Sequence, residues 1–355
     1  MDFKKRILVA PLNWGLGHAT RCMPIIKALI EHQYEPIIAS DGAALVLLKK
    51  EFPTLICLEL PSYDIQYPKY GFLMKWQLFK TIPKLLYAVK KEKKTVQNII
   101  KTYHINGIIS DNRFGVYSTN PQIPSVYITH QLQVFSGITT WLTTKLHRKT
   151  IKKHQECWIP DFENQPYLSG NLGHIKNSKL KLKYVGPLSR FIKFKTASLY
   201  DLMVLLSGPE PQRTLLEEKI LSELKGYTGT VILIQGIVGT AQKITQQNNV
   251  IMYNFMQSHE LEKAIQCSNI ILSRSGYTTI MDLAILKKKA FFIPTPGQDE
   301  QLYLAKRLKN FQIAPYCKQH NFTLEKLQEV KSYKGFDMIE HKAAFHDLFS
   351  LFEGE

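Results

Sequence analysis

The sequence predicts an α/β protein built from two doubly wound, Rossmann-like domains, and three observations lead there. Apolar strand-like runs alternate with amphipathic helical runs along most of the chain, the pattern of βαβ units around parallel sheets. A length of 355 residues exceeds one ordinary core and suits two domains of roughly 150–190 residues. The alternation lapses once, over 186–199, into Pro, Ser, Lys and short aromatic runs, which marks a linker. The expected division is 1–188 and 200–335, with 336–355 as a C-terminal helix packing back toward the domain junction.

Each element follows from its local pattern. In the first domain Lys5–Ala10 reads as an apolar strand, Ala19–Gln33 as an amphipathic helix and Pro36–Ser40 as a strand. Ala43–Glu51 reads as a helix, Leu55–Leu60 as a strand, and Phe72–Thr102 as one or two helices broken near Pro83, where the ring removes a helical hydrogen bond. Strands at Ile105–Ser110, Ser125–Thr129 and Glu156–Pro160 follow, with a basic helix near Ile138–His154. In the second domain strands are expected at Leu202–Leu206, Thr230–Gln235, Val250–Tyr253, Ile270–Leu272 and Ala290–Ile293. Helices are expected at Arg213–Leu224, Leu261–Cys267, Thr278–Leu286, Glu300–Lys309 and near Met338–Phe352.

Composition narrows the class. A hydrophobic content of 45% with 21% charged residues is that of a folded soluble protein. No apolar run approaches the roughly 20 residues of a spanning helix, and Met1–Ala10 leads straight into a strand without a signal-peptide core. A cytoplasmic location is the expectation. The five cysteines are scattered, with no metal-ligand spacing, so neither a disulfide framework nor a metal site is expected. The formal charge of +17 implies an anionic partner. From Tyr67 to Tyr103 nine lysines stand against one glutamate, interleaved with Trp76, Phe79, Ile82 and Leu86. That segment reads either as an interfacial amphipathic helix on an anionic membrane surface or as a core helix with a solvated lysine face. Nucleic acid is not expected, because no binding motif for it appears.

The richest stretch is 273–301, S-R-S-G-Y-T-T-I-M-D followed by I-P-T-P-G-Q-D-E-Q. A glycine turn after a strand opens a helix, whose positive N-terminal end suits a diphosphate. Asp282, farther along that helix, suits a ribose diol, since a carboxylate accepts two hydroxyl bonds. Together they indicate a nucleotide-sugar site. After the first strand comes W-G-L-G-H-A-T-R, in which Gly15 and Gly17 permit a tight turn beside a ligand. His18 stands at the carboxyl end of that strand, where open α/β folds bind ligands. It is either a proton-transfer group or an ordinary first-turn residue. Asp111, at the end of another strand in I-S-D-N-R, either orients His18 or caps a turn. His130 either lines an acceptor cleft or is a structural histidine. Arg21 and Arg113 are candidate anion contacts, and Arg274 equally suits a structural ion pair.

Gly15–His18, the Ser207-Gly208 turn, Ser273–Gly276 with Asp282, and Gln298–Gln301 resemble glycosyltransferase family 28, the MurG-like enzymes. The W-G-L-G-H-A-T-R, I-S-D-N-R and G-P-L-S-R-F runs are similar to those of an uncharacterised bacterial branch. The resemblance implies a GT-B fold, two Rossmann-like domains facing a central cleft, with acceptor mainly on the first and UDP-sugar mainly on the second. It implies an inverting transfer, N-acetylglucosamine being one such sugar, to a lipid-linked or lipopolysaccharide-type acceptor. The reaction would run at the inner face of the cytoplasmic membrane with no cofactor beyond the UDP-sugar and no catalytic metal. His18, backed by Asp111 across the sheet's carboxyl edge, is the candidate base, and by position the resemblance makes Asp282 the ribose ligand. It sets Ser275, Gly276, Ser207 and Gly208 at the diphosphate, Phe255 and Met256 at the uracil, and Gln298 and Gln301 at the sugar. Gly15, Gly17, Asn112, Arg113 and His130 fall on the acceptor side. The loop Ser207–Gln212 departs from the family's glycine-rich run, and Pro209 and Pro211 remove N–H donors from it. Gly15–Cys22 also resembles a UDP-sugar hydrolase of the pseudaminic-acid-pathway type, and a catalytically silent GT-B binding protein is the third reading.

Overall fold

The computed structural model describes residues 4–63, 74–135, 140–165, 167–176, 178–336 and 345–353. Among them the chain forms two compact units that divide mainly between Leu188 and Ser189, with 345–353 belonging to the first and 74–78 to the second.

The first unit holds a seven-stranded parallel sheet. Its strands are β1 (Arg6–Pro11), β2 (Glu35–Ser40), β3 (Cys57–Glu59), β4 (Ile105–Asp111), β5 (Ser125–Ile128), β6 (Glu156–Ile159) and β7 (Leu182–Tyr184). They lie in the order β3-β2-β1-β4-β5-β6-β7, so the winding direction reverses between β1 and β4. That reversal opens a crevice at the carboxyl ends of those two strands. Helices α1 (Gly17–Glu31) and α2 (Gly42–Glu51) bury Ala19, Cys22, Met23, Ile26, Leu47 and Leu48 against one face. α3 (Met74–Tyr103) covers the other with Val96, Ile99 and Ile100. α4 (Thr140–Ile151) buries Thr144, His147 and Ile151.

The second unit holds six strands: β8 (Tyr200–Leu205), β9 (Val231–Ile234), β10 (Ile244–Gln247), β11 (Val250–Tyr253), β12 (Ser268–Ser273) and β13 (Lys289–Phe292). Their order is β10-β11-β9-β8-β12-β13, parallel except for the β10–β11 pair. Here the reversal falls between β8 and β12, where Leu205 pairs with Ser273. Its helices are α5 (Gln212–Glu223), α6 (Ser258–Gln266), α7 (Tyr277–Ile285) and α8 (Asp299–Asn310). Leu216, Ile220, Phe291, Ile293 and Phe322 join Val204 and Leu233 in its core.

The doubly wound α/β class expected from the pattern is the one observed. Two strands were not anticipated. β7 is three residues long and only half buried, and β10 is exposed throughout, so neither carries the apolar signature that burial imposes. α3 continues through Pro83 as one helix. The expected helix at Met338–Phe352 lies partly outside the described residues. Its described end is α9 (Phe345–Phe349) and a 3-10 turn to Phe352, whose Leu348, Phe349 and Phe352 enter the first unit's core beside Trp158. Of the basic aromatic segment 67–103, residues 67–73 lie outside the described residues.

Candidate functional site

In the first unit the site grows from one helical turn facing one strand end. His18, Arg21 and Cys22 stand at i, i+3 and i+4 on α1, which sets them on a common face. Asp111 ends β4, in register with Pro11 of β1. All three side chains reach its carboxylate. His18 Nδ1 lies 2.8 Å from Oδ1, Arg21 Nε donates to Oδ2 at 2.5 Å, and Cys22 Sγ donates to Oδ2 at 3.5 Å. Arg21 Nη2 also donates to Oδ1, and Arg21 Nη1 donates to His130 Nδ1 at 3.0 Å.

Electrostatics fixes the protonation pattern. Burial pushes the Asp111 pKa up, but the charges of Arg21 and His18 and their hydrogen bonds outweigh it, holding the carboxyl well below the usual range. Asp111 is therefore an acceptor only, so the His18 nitrogen it touches carries the hydrogen. Arg21 Nη2 lies 2.9 Å from the same nitrogen because both donate to one oxygen. Nε2 of His18 is then the unprotonated nitrogen, and the side chain is 13% exposed. Burial, followed by the Arg21 charge, lowers the His18 pKa against the opposing pull of Asp111. The ring is neutral at neutral pH, with a lone pair on Nε2.

Other residues expected beside this site divide. Gly15 adopts φ +78° with open space around its Cα, and Gly17 opens α1. Asn112 takes the left-handed conformation at φ +60° and accepts from the Tyr127 hydroxyl at 3.1 Å. Arg21 and Arg113 require correction, because neither is a surface group open to an anion. Both are at most 1% exposed. Arg113 donates to Asp41 at 2.6 Å, Glu92 at 2.5 Å and the Pro61 carbonyl at 2.7 Å. Tyr63 adds a 2.5 Å bond to Glu92, so the guanidinium is consumed in locking α3 to the loops after β2, β3 and β4. His130 is buried and is tied to Arg21 rather than presented to a cleft.

The residues expected at a nucleotide fall in the second unit, near its own reversal. Gly208 has φ +104°, and neither it nor Gly276, the N-cap of α7, has a neighbour where a side chain would stand. Backbone at both turns is open to a ligand. Asp282 lies on α7, 9% exposed, and accepts from Ser189 Oγ at 2.6 Å. Burial raises its pKa to about 6 against the Arg190 charge and the Ser189 bond. Gln298 is the N-cap of α8 and lines a cavity of about 250 Å³ with Thr295, Asp299, Lys318 and His320.

Packing engages four of the expected residues in local bonds. The Ser275 hydroxyl is buried and donates to the Gln301 carbonyl at 2.8 Å, so only its backbone can meet a diphosphate. Gln301 Oε1 accepts the Thr295 amide at 2.8 Å, bracing the loop before α8. The Phe255 amide donates to Asn254 at 3.0 Å and its carbonyl accepts Gln242 at 3.1 Å, so its backbone is engaged locally, beside the buried Met256. Arg274 makes no ion pair among the described residues. It donates to the carbonyls of Ile293 at 3.1 Å, Pro294 at 3.2 Å and Gln212 at 2.8 Å and to Gln319 at 2.8 Å, and burial lowers its pKa to about 9. Sequence reasoning missed Cys22, Ser189 and Arg190 as site residues. The i, i+3, i+4 spacing pointed to Cys22, whereas Ser189 and Arg190 sat in a run read as linker.

Comparison with known proteins bears on both units. Residues 212–340 match the glycosyltransferase family 28 C-terminal domain. A Haemophilus ducreyi UDP-N-acetylglucosamine--N-acetylmuramyl-(pentapeptide) pyrophosphoryl-undecaprenol N-acetylglucosamine transferase is 25% identical over 248 residues, 66% of this chain and 65% of that protein. An uncharacterized glycosyltransferase of Methanosarcina acetivorans is 25% identical over 313 residues, covering 83% and 81%. Among solved structures, Acinetobacter baumannii MurG superposes with a TM-score of 0.56 at 14% identity, over 98% of this chain and 99% of that one. The fold is GT-B.

Proposed function

We propose that this chain, supported as a MurG-like glycosyltransferase of family 28 by the domain match, the relatives and the fold, moves a sugar from a UDP-sugar to an acceptor hydroxyl with inversion. Donor binding belongs to the second unit and proton removal to the first. The observation that carries the reading is the 2.8 Å bond between His18 and Asp111 at the reversal of the first sheet. It leaves Nε2 as a base of the neutral kind that general-base catalysis requires.

The acceptor oxygen forms a bond to the anomeric carbon while the bond from that carbon to the UDP oxygen breaks. The hydroxyl proton passes to His18 Nε2, and the electron pair of the broken bond leaves on UDP. Attack from the face opposite UDP inverts the centre. Asp111 stabilises the imidazolium that forms and keeps the ring in one tautomer. Arg21 holds Asp111 ionised and lowers the resting basicity of His18. The α7 N-terminus and the open turns at Gly208 and Gly276 stabilise the charge on departing UDP, with no metal required. Asp282 accepts from the ribose hydroxyls, and Gln298 reaches the sugar.

N-acetylglucosamine is the sugar named for the Haemophilus ducreyi relative and is the first donor to test. The acceptor is proposed to be lipid-linked or another cell-envelope glycan at the cytoplasmic membrane face. Support comes from α3, where Leu86 and Tyr87 are 65% and 72% exposed, and from α4, where Trp141 and Leu146 are 72% and 58% exposed. Lys84, Lys90, Lys145 and Lys149 on these helices suit an anionic interface. A panel of nucleotide sugars, with and without membrane lipid extract, tests the function. UDP release that depends on lipid supports transfer. Equal release without lipid favours the hydrolase reading.

A further inference from the structure

The segment between Leu188 and β8, read in sequence as a linker, is a strap fastened to the second unit. Its backbone bonds to α6: Ile192 N–H donates to Glu262 Oε1, the Ile192 carbonyl accepts Gln266 Nε2 at 3.0 Å, and Phe194 N–H donates to Gln266 Oε1 at 2.7 Å. Arg190 Nη1 donates to Ser258 Oγ at 3.0 Å, at the start of the same helix. At the head of the strap Ser189 is itself fixed, since Phe191 N–H donates to its Oγ at 3.2 Å. That leaves the hydroxyl hydrogen for one acceptor, Asp282 Oδ1, at 2.6 Å.

The partnership matters because the terminal torsion of an aspartate is broad and does not set the carboxylate plane by itself. A diol needs that plane fixed, since two hydroxyls on a rigid ring meet it at set positions. One hydroxyl bond from an immobilised donor pins Oδ1. Oδ2 and the remaining lone pair of Oδ1 then stand at defined places. The charge of Arg190 also acts on this carboxylate and favours its ionised form.

We infer that Ser189 is a positioning residue for ribose recognition, its hydroxyl orienting the Asp282 carboxylate toward the 2′- and 3′-hydroxyls of the nucleotide. This rests on the proposed assignment of Asp282 to the ribose. The strap is therefore part of the nucleotide site as well as a connection, and sugar-ring specificity in the nucleotide depends on a residue outside the matched domain, which begins at residue 212.

The test is calorimetric titration of the full chain with UDP and with 2′-deoxy-UDP. Wild type should prefer UDP by about tenfold, the worth of one charge-assisted hydrogen bond. Ser189→Ala should cut that preference to about threefold or less, Ser189→Thr should restore it, and Ser189→Cys, a weak donor of similar shape, should fall between. A purely structural role would weaken both nucleotides alike and leave the ratio unchanged, and that result overturns the inference. Asp282→Asn separates the two assignments. If it lowers the ratio while Ser189→Ala does not, the ribose role stands and the Ser189 role falls. If wild type fails to distinguish the nucleotides, both fall.

Discussion

Two buried aspartates, Asp111 at the first sheet's reversal and Asp282 on α7, are driven in opposite directions by their neighbours. Asp111 has Arg21 in direct contact and stays ionised; Asp282 has the Ser189 hydroxyl and the charge of Arg190, and burial prevails. The difference yields two pH predictions. His18 has its pKa lowered by burial and Arg21, so the acid limb of turnover should lie below the ordinary histidine value of about 6.5. Arg21→Gln should move that limb upward in a pH–rate profile, and an unmoved limb would remove His18 as the titrating group. For Asp282 the folded pKa of about 6 exceeds the ordinary 3.8. Its protonated form therefore supports the fold fully below the unfolded value, and that support is lost as pH rises through about 6. Asp282→Asn should match wild type near pH 4 and be more stable by roughly 1–3 kcal/mol at pH 8 in urea unfolding. A variant less stable at pH 8 would contradict the burial argument.

At the scale of elements, α1 and α3 do different work with similar chemistry. α1 delivers His18, Arg21 and Cys22 to one carboxylate, and that convergence was legible in the spacing G-H-x-x-R-C once β4 was placed beside β1. α3 supplies Glu92, which with Asp41 buries Arg113, and nothing in the sequence separated that arginine from a surface one. Buried ion pairs broken on one side leave an uncompensated charge, typically costing 3–5 kcal/mol. Arg113→Met should lose about that much stability by chemical unfolding, and a loss under about 1 kcal/mol would mean the network is not buried in solution. The exposed apolar residues of α3 and α4 carry a separate prediction. Wild type should float with anionic vesicles, and Lys84→Glu with Lys145→Glu and Lys149→Glu should reduce flotation several-fold. Failure of wild type to float removes the membrane proposal.

Across the whole molecule, the fold class and most strands were readable because a buried parallel sheet writes itself as apolar runs between helical periods, as in β1, β4 and β12. The strands that escaped, β7 and β10, lie at sheet edges where burial leaves no such mark. The open turn at Gly276 was readable because a glycine between a strand and a helix needs only backbone chemistry. Arg113 was misassigned as an anion contact, and the inward bonds of the Ser275 hydroxyl and Gln301 Oε1 went unread, because residue type does not say whether a polar group faces a ligand or another loop. That distinction is a tertiary fact. The proposed leaving-group stabilisation uses a helix end, so turnover should survive exhaustive dialysis against EDTA, and loss restored by a divalent cation would require a different catalyst. The central claim is that His18 acts in chemistry while the nucleotide is held elsewhere, and His18→Ala tests it most directly. The account predicts at least a hundredfold loss of turnover, in the usual range for a general base, with UDP affinity unchanged within a few-fold. Wild-type turnover in this variant, or loss of UDP binding in parallel with activity, would contradict it.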